Sequence, residues 1–428
     1  MSVKDRLKRM TGEAPGPKGD PSRSEIIGEL RRKIDAIMTR RESYPRQTVA
    51  HRPREIKPLH EAITGEEVEN ERGRCFFSRS VFHGHACHGV YPVADLACAD
   101  MEAAALLAGD PGLRDFGIPD ALFLDTETTG LAGGTGTLAF LVGLGWFEGE
   151  DFVVCQLFSR DFHEEGAMLT LLADMAREKR FLVTFNGRGF DLTLLAARFI
   201  LNRLANPLSE MPHLDLLFPS RKLLSHRLEN CRLVTIEGEV LGFVRTGDVP
   251  GFEIPKRYFD WLRTRDASLL EDVFHHNRLD IVSMAALVKH LTRLVATGDS
   301  HHHGDVLAAA RMHLHQGDPC TASAFLASLM DCPDPATARG AMVTLSLDHK
   351  RRGLWEDAVK IWEGMLGNDP HDLFAVEELA KFLEHRKNDH VRAFEIVRRV
   401  LEEGRGISRD DREALSHRLA RLKRKAGG

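Results

Sequence analysis

Asp125 and Glu127, two residues apart in Asp125-Thr-Glu127-Thr-Thr-Gly130, offer two carboxylates to one face of a strand. The apolar run Ala121–Leu124 before them reads as that strand, buried in a core. Paired acids at the end of a core strand are costly unless a cation neutralises them. Oxygen donors of this kind suit hard dications such as Mg²⁺ and Mn²⁺. The hexapeptide therefore points to metal-assisted hydrolysis, against the plainer alternative of an acidic turn after a strand.

Two further acidic elements follow. In Phe185-Asn186-Gly-Arg-Gly-Phe190-Asp191 a strand ends, glycines turn, and Asp191 opens a helix. A carboxylate there also serves as an N-terminal cap. In His275-His276-Asn-Arg-Leu-Asp280, His276 and Asp280 stand at i, i+4 and share one helix face. The apolar run Ile281–Leu287 continues that helix, so an aspartate beside it needs a partner.

These residues need a scaffold. Between 119 and 296 the pattern alternates strand and helix: strands over 121–124, 138–146, 151–158 and 181–185, and helices over 164–178 and from 191. Phe147-Glu-Gly-Glu150 is a hairpin signal. The order β-β-β-α-β-α predicts an α/β domain, a mixed sheet flanked by helices. Residues 61–118 suggest a small N-terminal extension packing on that domain. Within it His83, His85, Cys87 and His88 cluster, but their spacing matches no zinc pattern, and packing histidines near a turn are the better reading. Residues 1–60 carry 15 Lys/Arg against 8 Asp/Glu and are broken by Pro15, Gly16, Pro17 and Gly19. They read as a basic, mostly flexible arm, with one amphipathic helix expected over 22–42.

Beyond 303 the sequence is helical to about 425. The segments 358–366 and 393–401 align at an offset of 35 residues, near the tetratricopeptide period. This predicts an all-α, tetratricopeptide-like domain that can recruit a protein partner. A net charge of −5 excludes a globally basic nucleic-acid binder, so any such contact uses a local patch. Arg221, Lys222, Arg227 and Arg232 form one candidate, either tracking a strand backbone or facing solvent. Seven scattered cysteines without a CxxC pair argue against a disulfide framework and fit a reducing cytoplasm. No apolar run approaches the length of a signal or a membrane span.

Taken in order, Asp-x-Glu, Asn-x-x-x-Phe-Asp and His-x-x-x-Asp resemble the motifs of the DEDD exonuclease superfamily, with its ribonuclease H-like fold. The likeness runs over about 120–295 and is nearest to bacterial ribonuclease H-like proteins similar to the YprB family. Phe140-Leu-Val-Gly-Leu-Gly145, His213-Leu-Asp-Leu-Leu217 and Asp248-Val-Pro-Gly-Phe-Glu-Ile-Pro255 support it. The resemblance implies that Asp125, Glu127, Asp191 and Asp280 hold two Mg²⁺ or Mn²⁺ ions beside a phosphodiester. It implies a general base at His275 or His276, of which the helical register with Asp280 favours His276. Thr128, Asn186 and Phe190 are the expected substrate contacts, with Asn186 divided between crossing the site and holding the turn. Asp215 divides in the same way between supporting the site and capping a loop. The glycines at 133–136 lack the Lys-Ser/Thr ending of a phosphate loop and read as a turn.

Two functions follow as expectations. One is a metal-dependent 3′–5′ exonuclease on single-stranded DNA or RNA. The other is a nucleic-acid-binding or scaffold protein with a weak or inactive nuclease domain and a partner-binding helical tail.

Overall fold

Alternating apolar residues build a mixed sheet that is seven-stranded among the described residues. Its strands are β1 (Glu66–Asn70), β2 (Gly73–Phe82), β5 (Ala121–Thr128), β6 (Ala139–Glu148), β7 (Asp151–Phe158), β8 (Phe181–Thr184) and β9 (His213–Asp215). A separate hairpin pairs β3 (Cys87–His88) with β4 (Tyr91–Pro92). The computed structural model describes residues 56–130, 136–404 and 406–426. The basic arm up to residue 55, the helix expected over 22–42, and residues 131–135 of the glycine-rich turn lie outside the described residues.

The spatial order is β1-β2-β7-β6-β5-β8-β9, antiparallel up to β5 and parallel through β5-β8-β9. The hairpin signal is realised where β6 meets β7: Glu148 faces Asp151, and Gly149 supplies the left-handed residue at φ 64°. The N-terminal extension does more than pack on the sheet. Its strand β2 pairs with β7 along Phe76–Phe82 and lengthens the sheet.

The sheet is covered on both faces. On one lie α2 (Glu165–Arg177) and α3 (Asp191–Leu201), whose Leu169, Leu172, Leu195 and Phe199 bury Leu122 and Leu124 of β5. On the other lies the long α6 (Glu271–Thr297), which shares a core with Ala121 and Phe123 and with α1 (Met101–Ala108). Each such buried Leu or Phe contributes about 1.5–3 kcal/mol. A one-residue slip of β5 would exchange its two faces, so this burial fixes which side the carboxylates occupy. A third cluster seats α5 (Ile254–Thr264) on β6 and β7 through Tyr258, Trp261, Phe140 and Phe158. The short α4 (Leu217–Leu224) follows β9.

After α6 the chain is helical: α7 (His303–His315), α8 (Pro319–Leu329), α9 (Pro335–Arg351), α10 (Trp355–Asn368), α11 (Leu373–Phe382), α12 (His390–Glu403) and α13 (Arg409–Ala426). Asp318, Asp334, Asp372 and Asp389 accept backbone N–H bonds at the starts of α8, α9, α11 and α12. Each such cap is worth about 1 kcal/mol. The 35-residue offset is realised in α10 and α12, which begin at 355 and 390 and end at 368 and 403. This array shares the α6 core through Val306, Leu326 and Leu329. Of the basic segment, Arg227 is taken by the fully buried Asp305, with paired contacts of 2.9 and 3.0 Å. It fastens the helices to the sheet domain.

Candidate active site

β5 outruns its partner β8, which pairs with it only over Ala121–Phe123. The free end carries Asp125 and Glu127 on the face that also buries Phe123 against α6. A bulge between Glu127 and Thr128 re-aims the strand there. Asp125 stands opposite Gly143 of β6, and Asn277 of α6 occupies the space over that glycine. A Cβ at 143 would lie 2.3 Å from Asn277 Oδ1. Asn277 Nδ2 donates to Asp125 Oδ2 at 2.9 Å. Gln156 of β7 fixes Asn277 in turn, donating to its Oδ1 at 2.9 Å and to the Phe274 carbonyl at 2.8 Å. Asp125 is thus held by a buried amide relay.

Asp191 arrives from the opposite face of the sheet, at the start of α3. The hydroxyl of Thr126, the residue between the two β5 acids, donates to its Oδ1. Asp280 comes from α6, and its Oδ1 is gripped by Arg245. Arg245 also forms a paired contact with the buried Glu237, at 2.6 Å on both oxygens, and reaches Asp248 at 3.1 Å. Asp248 Oδ1 lies 2.7 Å from His276 Nδ1, and His276 Nε2 lies 3.5 Å from Asp280 Oδ2. Glu127 is different. It is 9% exposed, and it receives no hydrogen bond or ion pair among the described residues.

The electrostatics follow from this arrangement. Burial, then the Asp280 and Asp191 charges, push the Asp125 carboxyl well above its ordinary range. Burial and Asp125 do the same to Glu127. Burial raises Asp191 to about 6 against the opposing Thr126 bond. Burial also works against the Arg245 charge, but Glu237 and Asp280 outweigh it and keep the guanidinium protonated. Carboxylates forced together with their charge unbalanced are the condition a divalent cation relieves. One oxygen or nitrogen from each of Glu127, His276 and Asp280 lies within 4.8 Å of the others, the only such metal-capable group among the described residues. The donor set therefore fits a hard dication.

The sequence candidates divide. Asp125, Glu127, Asp191, His276 and Asp280 converge. His275 makes no hydrogen bond or ion pair among the described residues, and burial lowers its pKa. Thr128 ties down the end of β5 by donating to the Gly130 carbonyl at 2.9 Å. Asn186 holds the turn: its φ is 66°, and its N–H donates to Asp215 Oδ1 at 2.8 Å. Asp215 also accepts from Arg188 N and Leu217 N, so it caps that loop. Phe190 is half-buried just before α3. The His83–His88 cluster gathers no ligand set. His83 pairs with Asp151, and the buried His88 stacks on Phe243 at 4.0 Å and bonds Ser283 of α6. His88 thereby pins the loop that carries Arg245.

Sequence reasoning missed Arg245, Asp248, Asn277, Glu237 and Gln156. Asp248 lay in a stretch already matched to the family, and Asn277 lies between His276 and Asp280. Their spacing shows no period, so only the fold reveals the partnership.

A family model described as the RNase_H superfamily matches residues 122–292, from β5 into α6. The uncharacterized protein YprB of Bacillus subtilis (strain 168) is 32% identical over 353 residues, covering 79% of this chain and 83% of that protein. This chain belongs to the ribonuclease H superfamily. Within the ribonuclease H-like domain, β7-β6-β5-β8-β9 form the central sheet, and the acids gather where β5 runs past β8 toward α6. Among the described residues no helix is long and apolar enough to cross a membrane.

Proposed function

We propose that this protein is a metal-dependent 3′–5′ exonuclease that hydrolyses phosphodiesters in single-stranded DNA or RNA. The observation that carries the reading is Glu127: a buried carboxylate that has no donor among the described residues, set among acids that each have one. Asp125, Glu127, Asp191 and Asp280 would hold Mg²⁺ or Mn²⁺, two ions in all. When bound, these ions supply Lewis-acid polarisation of the phosphodiester and neutralise charge building on the leaving 3′ oxygen.

The chain's own residues do the rest. With its Nδ1 turned to Asp248 at 2.7 Å, His276 directs Nε2 toward the acids, 3.5 Å from Asp280. Nε2 then accepts the proton of the attacking water. Arg245 holds both Asp248 and Asp280, and so sets the distance between the base and the phosphate. Asn186, exposed on its turn, and Phe190 beside Asp191 are the contacts we assign to the strand end.

The test is cleavage of end-labelled single strands with Mn²⁺, Mg²⁺ or EDTA. Metal-dependent shortening from the 3′ end that vanishes in Asp125→Ala and Asp280→Ala supports the reading. Failure to degrade any DNA or RNA, in wild type as in the variants, sinks it.

A further inference from the structure

We infer that the outer face of α5, with the turn before it, is a stacking platform for unpaired nucleotides of the substrate strand. The inference deepens the nuclease reading and rests on it.

Helix α5 is apolar on two sides. Its inner side is accounted for: Ile254, Tyr258 and Trp261 are buried, Tyr258 stacks on Phe140 at 4.0 Å, and its hydroxyl donates to the Ser159 carbonyl at 3.0 Å. Its outer side is not. Phe259 is 42% exposed, and Phe252, one turn before the helix, is 70% exposed. Both rings line an open cavity of about 770 Å³ together with Gly130, Lys256 and Arg263. The Phe259 ring meets that of Tyr258 at 6.1 Å, and the rest of it is open to solvent together with Phe252 in the turn before the helix.

The position identifies the occupant. Gly130 ends the Asp125–Gly130 motif, three residues past Glu127. At the other end, Asp248 sits on His276 and Phe252 follows four residues later. Two short segments thus lead from the cavity to the carboxylate centre. Its charge is complementary to phosphate: Lys256 and Arg263 share the single carboxylate of Asp260, which leaves one positive charge in excess. Aromatic faces with flanking cations suit a single strand, whose bases have free π-faces. In a duplex those faces are already stacked.

The experiment is fluorescence anisotropy of the full chain in EDTA, with labelled 20-nucleotide single strands and a blunt duplex of the same sequence. Because Phe252 and Phe259 are exposed, Phe252→Ala and Phe259→Ala spare the core. Each is expected to weaken single-strand binding about tenfold, with duplex binding unchanged. Lys256→Gln is expected to reduce the slope of log affinity against log salt by about 0.7, which the Phe variants leave alone. The inference is overturned if the double Phe variant binds single strands within twofold of wild type. Equal loss on the duplex overturns it too, as does lost self-association in sedimentation with strand affinity intact, which would make the patch a contact between copies. Turnover is scored separately. Binding that needs the rings without any cleavage defeats the nuclease reading alone, and cleavage with ring-independent binding defeats the platform alone.

Discussion

Two regions of this molecule take carboxylates out of water by opposite means. In the helical array Glu384, 1% exposed, is met by Arg418, Arg421 and Lys425 of α13. Three cations serve one acid, and the Arg421 bond foremost holds its carboxyl down to about 2. At the end of β5 the ratio is inverted. Asp125, Glu127 and Asp191 lie beside Asp280, and among the described arginines and lysines Arg245 alone reaches this group, through Asp248 and Asp280, with Glu237 already matching its charge. The carboxyls of Asp125, Glu127 and Asp191 are pushed up, by burial foremost. An acid with surplus cations is a staple. Acids with too few are a site suited to a charge that the described residues do not supply.

The largest expected effect separates the regions by activity. Asp125→Asn or Asp280→Asn should lower cleavage on the order of 10³-fold or more, whereas Glu384→Gln should leave it intact. Single-turnover assays on labelled strands decide. Next comes the base: His276→Ala should cost on the order of 10²–10⁴-fold in turnover, and His275→Ala little. If only His275→Ala loses turnover, the Asp248–His276 pair is structural.

Stability measurements sharpen the contrast. Mn²⁺ at a hundred times its dissociation constant should stabilise the wild type by about 2.7 kcal/mol. That gain should disappear in Asp125→Asn, as read by thermal melts, while Glu384→Gln should retain it. Without metal, Glu384→Gln should cost about 2 kcal/mol, a buried-pair loss discounted because Arg421 and Lys425 are partly exposed.

The smallest effect is in pH, and the two regions should slope in opposite directions. Asp191 is raised to about 6, so the stability of its protonated form is present at low pH and is lost as pH rises from about 4 through 6. Glu384 is lowered to about 2, so its contribution is present above its ordinary value near 4.5 and is lost as pH falls toward 2. In EDTA, Asp191→Asn should gain on wild type between pH 4 and 7. The deficit of Glu384→Gln should hold steady above about pH 4.5 and shrink as pH falls from there toward 2. Parallel slopes would break the comparison.

Much of this was legible in the chain. The strand 151–158 and the hairpin at 147–150 follow from a continuous apolar run and a glycine at a left-handed position. The convergence of Asp125, Glu127, Asp191 and Asp280 follows from order and spacing once the ribonuclease H-like likeness is noticed. Helix α13 was not legible as a packed element. Its polar face hides Leu415 and Leu422, and only the Ser408 cap, accepting from Asp411 N at 3.1 Å, marks its start. The joining of β2 to β7 was also hidden, because strand pairing over some 80 residues leaves no local period.

The sequence by itself determined which acids are present, that two of them share a strand face, and that His276 and Asp280 share a helix face. Those are short-range facts, set by periods of 2 and 3.6 residues. Only the tertiary structure decided who neutralises whom. Arg245 comes from a loop pinned by His88, Asn277 rests over Gly143, and Glu127 is left without a donor among the described residues. Such pairings depend on which surfaces the core brings within a few ångströms, and the low-dielectric interior then makes each missing partner count.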